Sequence, residues 1–138
     1  YINIISMNSI KISIPSLIEN IKIVESFIDN AREKFPINED IYGNIMISVT
    51  ECVTNAIIHG NQMDGNKKVN LELHLDENQV EFVILDEGKG FDFEHLVDPT
   101  APENLEKTGG RGIFIMKHLA DGIKFEENGR KTILTFYM

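Results

Sequence analysis

A chain of 138 residues with 42% hydrophobic and 25% charged side chains has the composition of one ordinary globular domain, 1–138. Its 13 basic and 22 acidic residues leave a net charge of −9, which disfavours nucleic acid and anionic membranes as partners, since both recruit clustered Lys and Arg. A lone cysteine, Cys52, excludes an internal disulfide and suits a reducing cytoplasm; no apolar run approaches the ~20 residues that span a bilayer, and no signal-peptide pattern opens the chain.

Residues 9–14 alternate, with Ile10, Ile12 and Ile14 on one face, and predict a strand that Pro15 ends. Ser16 with Glu19 reads as a capping box, followed by Leu17, Ile21, Val24, Ile28, Ala31 and Phe35 at helical spacing up to Pro36. Asn38, with Glu39 and Asp40 in the first turn, is expected to cap a second helix that runs to about His59 and ends at Gly60. Two alternating strands follow, around Val69–Leu71–Leu73–Leu75 and Val80–Phe82–Ile84, joined by a turn at Asp76–Glu77–Asn78. Residues 91–110 carry no convincing long element beyond one helical turn at 93–97, and a loop of that length is usually functional or mobile. A helix over 111–120 and a closing hairpin, 123–127 and 132–137 around Asn128–Gly129, complete the order. The order predicts an α+β fold, a two-layer sandwich with helices on one face of a mainly antiparallel sheet.

Three segments carry chemistry. On the second helix Glu51, Asn55 and His59 recur every four residues and stack along one face. Asn55 offers a neutral oxygen to a hard cation such as Mg²⁺, and Glu51 can accept a proton from an attacking hydroxyl. The same stripe also suits a solvated helix face, and His59 suits a partner for the helix's last carbonyls. Next, the apolar strand ending in Asp86–Glu87–Gly88–Lys89–Gly90–Phe91–Asp92 sets a carboxylate where it can accept from an exocyclic amine such as that of adenine, with Gly88 and Gly90 clearing room for the base. A tight strand-to-loop turn explains the same residues. Finally, Thr108–Gly109–Gly110–Arg111–Gly112 opens the third helix, where N–H groups and the helix dipole favour an anion, with Lys107 and Arg111 as local cations. An ordinary glycine hinge is the alternative. No Walker sequence and no dinucleotide fingerprint is present.

In this order the three segments resemble the GHKL ATPase superfamily, which includes gyrase and the histidine kinases, and within it the bacterial anti-sigma-factor serine kinases. Glu51-Cys-Val-Thr-Asn55-Ala-Ile-Ile-His59-Gly-Asn61 is similar to its N box, Asp86-Glu-Gly88-Lys-Gly90-Phe91 to its first glycine box, and Gly109-Gly110-Arg111-Gly112-Ile113-Phe114 to its second. The resemblance implies a Bergerat α/β sandwich that binds ATP and Mg²⁺. By that likeness Asn55 coordinates the metal, Asp86 recognises adenine, Thr132 adds an indirect adenine contact, and Gly109 to Gly112 wrap the phosphates. The loop over 91–110 is then the lid over the nucleotide. Lys107 stands near where relatives often place an arginine on the terminal phosphate.

Glu51 stands where histidine kinases usually carry Asn, and the 138 residues leave no room for the histidine-bearing helical domain those enzymes need. The resemblance therefore implies a serine/threonine kinase. Its acceptor would be an anti-sigma antagonist of the STAS fold, its second partner a sigma factor, and its assembly a homodimer. A nucleotide-regulated sequestration module and a slow ATPase are the rival readings.

Overall fold

The computed structural model describes residues 3–6, 9–35, 37–90 and 111–138. The strands are β1 (Asn3–Ser6), β2 (Ser9–Pro15), β3 (Lys68–Leu75), β4 (Gln79–Leu85), β5 (Gly122–Glu126) and β6 (Lys131–Tyr137). They form one six-stranded sheet in the order β1-β2-β3-β4-β6-β5, with every pair antiparallel. Register places Ile10, Leu73, Phe82 and Leu134 in one cross-strand row. Ile12, Leu71, Ile84 and Thr132 form the next row. All eight are buried, so the period of two in the sequence becomes one apolar face.

Three helices cover that face: α1 (Ile21–Lys34), α2 (Glu39–Asn55) and α3 (Arg111–Leu119). Val24, Phe27, Ile28 and Ala31 of α1 are buried, as are Ile45, Val49, Cys52 and Val53 of α2. The expected α+β two-layer architecture is therefore present, and the edge strand β1 is an addition to it. Asn38 caps α2 as expected, its side chain accepting from the Asp40 N–H at 2.8 Å.

Two features depart from the sequence reading. Ser16 is no capping-box residue: α1 is led in by a 3₁₀ turn, Ile18–Asn20, without a side-chain cap. The Ser16 hydroxyl is buried and donates to the Lys67 carbonyl at 2.7 Å, a long-range partner that outcompetes the local one. The stretch Glu39–Gly60 is also long and apolar enough to qualify as a membrane span by length and composition. Interspersed Ser, Thr and Asn break its apolar run without making it polar on average. The expected turn at 93–97 lies outside the described residues.

The last turn of α2 widens into a π turn, Ala56–Gly60, closed by Asn61 N–H to the Ala56 carbonyl at 2.8 Å. Gly60 does not supply the left-handed residue expected of a helix terminator. Gln62 and Met63 do so, at φ of 53° and 58°. Asn61, with 0% of its surface exposed, then ties three segments together. Its amide donates to the Ser16 hydroxyl at 2.7 Å and the Lys68 carbonyl at 3.0 Å, and its oxygen accepts from the Glu87 N–H at 2.7 Å. Replacing it with Ala orphans these groups, each costing about 1–3 kcal/mol when buried. Asn61→Ala is expected to lose about 3 kcal/mol in urea unfolding, and Asn61→Asp more, because an acid keeps one contact, loses both donors and buries a charge.

Candidate functional site

The site is built along α2. Glu51 and Asn55, one turn apart and both half-buried, face the first turn of α3. The contact there is close: a Cβ added at Gly112 would overlap the Glu51 carboxylate and lie 2.7 Å from Asn55 Nδ2. Glycine at this position lets the N-terminus of α3 reach the two side chains.

The far end of α2 meets the strand-end acid. Asp86 leaves β4 with its N–H bonded to the Arg130 carbonyl at 3.0 Å, and its Oδ1 accepts from Gly88 N–H at 2.8 Å. A Cβ at Gly60 would strike the Asp86 carboxylate, and one at Gly88 would strike the Gly60 carbonyl. Gly60 thus serves through its missing side chain rather than its φ. Gly90 needs both freedoms, with φ at 83° and the Asn128 carbonyl where a Cβ would lie.

Between the two ends lies a pair that the sequence reading did not connect. Thr132 is the polar member of an otherwise apolar row, 7% exposed, and its hydroxyl meets the Cys52 thiol. Burial pushes that thiol up to about 12; the Thr132 contact opposes the rise, and the Asp86 and Glu51 carboxylates add to it. A thiol so placed stays protonated and unreactive. Its environment links Glu51, Cys52, Thr132 and Asp86 into one neighbourhood. Cys52 is core, as expected, and feels both carboxylates. Register alone could have signalled it, since a buried Thr in an Ile–Leu–Ile row needs a partner on the covering helix.

Burial also raises the Asp86 carboxyl, against lowering by the Gly88 N–H, Arg130 and Lys67. The space left by the missing side chains at Gly60 and Gly88 is taken up by this close packing against Asp86 and the Gly60 carbonyl rather than left as open room for a base. An acid held partly out of water can grip a donor more strongly than an exposed one. Glu51 and Asn55 supply oxygen at one turn's separation, and no group of three or more His, Cys, Asp or Glu gathers among the described residues. That sparse donor set fits Mg²⁺, which takes few protein ligands and completes its shell with water and phosphate oxygen. Asn55 would hold it.

Of the other expected site residues, Ile113 and Phe114 sit in the first turns of α3, Ile113 packed on the core and Phe114 edge-to-face with His118 at 4.4 Å. Arg111 begins α3. Phe91, Lys107, Thr108, Gly109 and Gly110 lie outside the described residues, as does the side chain of Arg111. His59 is exposed and, among the described residues, makes no contact with the helix carbonyls expected of it. Backbone N–H groups of Asn61 and Met63 take the Ala56 and Ile57 carbonyls instead.

The family description "histidine kinase-like ATPase domain" matches residues 14–138. The chain belongs to that family. Among similar proteins are the serine-protein kinases RsbW of Bacillus subtilis (25% identical over 136 residues, 94% of this chain and 85% of that protein) and of Staphylococcus aureus strain JH9 (26% over 137 residues, 94% and 86%). RsbW of Oceanobacillus iheyensis is 25% identical over 121 residues, covering 83% of this chain and 77% of that protein. An ATPase domain binds ATP.

Two substitutions probe the geometry. Gly112→Ala pushes on the flexible side chains of Glu51 and Asn55 and on no backbone among its nearest contacts, so the melting temperature is expected to hold while affinity for Mg·ATP falls about tenfold or more by calorimetry. For Asp86, the raised carboxyl means that the folded state favours the protonated acid. Its stabilising contribution is full below the unfolded carboxyl range and is lost as pH rises through the folded value. Asp86→Asn removes that loss. Its melting temperature relative to wild type is expected to climb from about pH 4 to about pH 7, whereas parallel profiles would contradict the burial effect.

Proposed function

We propose that this protein is an ATP-dependent serine/threonine kinase that phosphorylates a STAS-type anti-sigma antagonist and, in the alternate state of that switch, holds a sigma factor. The observation that carries the reading is the meeting of Glu51 and Asn55 with Gly112 at the start of α3, in a neighbourhood that Cys52 and Thr132 extend to Asp86. The serine-protein kinase designation of the relatives supports a protein acceptor. Glu51 supports it too, being a carboxylate where a proton acceptor is needed.

In this reading Asp86 accepts from the adenine amino group, with Thr132 and Cys52 beneath the base. The N–H groups at the start of α3 and its helix dipole face the phosphates. Asn55 would hold Mg²⁺, which when bound would neutralise charge at the phosphate oxygens. The acceptor's Ser or Thr oxygen attacks the γ-phosphorus and the bond to the β,γ-bridging oxygen breaks. ADP leaves, and the hydroxyl proton passes to Glu51. The homodimer and the cytoplasmic setting belong to the same proposal; the single buried Cys52 suits a reducing compartment.

Incubation with labelled ATP and STAS-domain proteins tests it. Glu51→Gln keeps the side chain's size and is expected to retain Mg·ATP binding while phosphotransfer drops by about 10²-fold or more. Asn55→Ala is expected to lose the Mg²⁺-dependent part of ATP binding. Labelling of an acceptor by the Glu51→Gln variant at the wild-type rate would remove Glu51 from the mechanism.

A further inference from the structure

Although the chain carries a net charge of −9, residues 41–58 contain one charged side chain, Glu51. Less than half of the most apolar part of the Glu39–Gly60 stretch is buried, so the helix is more apolar than its packing on the sheet requires. The excess lies on the outward side. Ile47 is 52% exposed and Ile58 37%. With Glu51 and Thr54 they occupy positions i, i+4, i+7 and i+11 of one helical stripe, bordered by Thr50.

The two threonines add to its apolar character. Thr50 Oγ1 donates to the Met46 carbonyl at 2.6 Å, and Thr54 Oγ1 to the Thr50 carbonyl at 2.7 Å. With both hydroxyls turned back onto the helix, the threonines are left with little polar capacity to offer a partner. Glu51 therefore lies on a seam. On one side are Asn55 and Gly112; on the other is an uncharged strip extending about 6 Å to Ile47 and about 10 Å to Ile58 along the axis. A nucleotide has no use for that strip, and a surface this acidic overall does not dock on anionic lipid. Charge-depleted apolar ground around a reactive group is what the centre of a protein interface requires.

We propose that the Ile47–Thr50–Thr54–Ile58 stripe is the docking surface for the acceptor protein, and that the segment it receives is uncharged and apolar on both sides of its Ser or Thr. The inference rests on Glu51 being the proton acceptor in protein phosphotransfer. A Lys or Arg opposite Glu51 would pair with it and block its access to the hydroxyl, so a neutral segment is the one that leaves the base free. A second copy of this chain seated on the stripe would cover Glu51 and exclude any acceptor.

The test is steady-state phosphorylation of whichever STAS-domain protein the wild-type enzyme labels. Ile47→Gln with Ile58→Gln removes the apolar groups without adding charge and keeps helix propensity. The double variant is expected to raise KM for the acceptor about tenfold, with kcat at saturating acceptor and affinity for Mg·ATP unchanged. Ile23→Gln, an exposed isoleucine on α1, serves as the control and leaves all three unchanged. If the double variant folds poorly, Ile47→Gln alone, a full turn from Glu51, gives the same reading at smaller amplitude. An unchanged KM overturns the proposal. So does a fall in ATP affinity, which would assign the stripe to the nucleotide, or a loss of dimer in sedimentation, which would assign it to a second copy. Failure of the wild-type enzyme to label any acceptor would instead remove the function on which the proposal stands.

Discussion

A carboxamide sealed from water cannot leave its donors and acceptor unmet, and that requirement at Asn61 organises the site. Its three hydrogen bonds join the entrance to α1, the start of β3 and the exit from β4. The π turn before it sets the angle at which α2 arrives, and the glycines at 60 and 88 then allow backbone to lie against backbone. Weakening this junction would move Asp86 relative to the helix that carries Glu51 and Asn55. Those two halves come from elements far apart in the chain, so no local propensity holds them in place. The polar network does.

Electrostatics divides the labour along α2. Toward α3, a carboxylate and a carboxamide meet a helix N-terminus, where N–H groups and the dipole contribute positive potential. Toward β4, burial holds Asp86 away from its comfortable ionised state, a cost that a ligand's amino group can recover. In the proposed reading, a protein with an excess of nine negative charges receives a polyanion at a helix N-terminus and a purine at a half-buried acid.

Much of this was readable in advance. Ile10–Ile12–Ile14, Val69–Leu71–Leu73 and Val80–Phe82–Ile84 announced the inward rows of the sheet, because period two has few other meanings. Asn38 announced the start of α2. The polar stripe and the first glycine segment named residues that the fold brings near one another, while Lys107 to Gly110 lie outside the described residues. What remained hidden depended on tertiary partners. Ser16 has the local signature of a cap, but its hydroxyl finds Lys67 fifty-one residues away. Gly60 looked like a terminator because it ends a helical pattern; its actual role is to make room for an acid 26 positions later. Thr132 was marked only through the family likeness and Cys52 only as core, and the packing of α2 on β6 brings the two together.

The abutment of Gly90 on the Asn128 carbonyl has an evolutionary corollary. Hairpin tips are ordinarily where chains absorb insertions and deletions, since nothing else leans on them. Here the tip between β5 and β6 is a backstop for the loop that carries Asp86, reinforced by the Arg130 carbonyl. Length changes at that tip would shift the loop leading out of Asp86, so this connection should drift in side chains while keeping its count of residues.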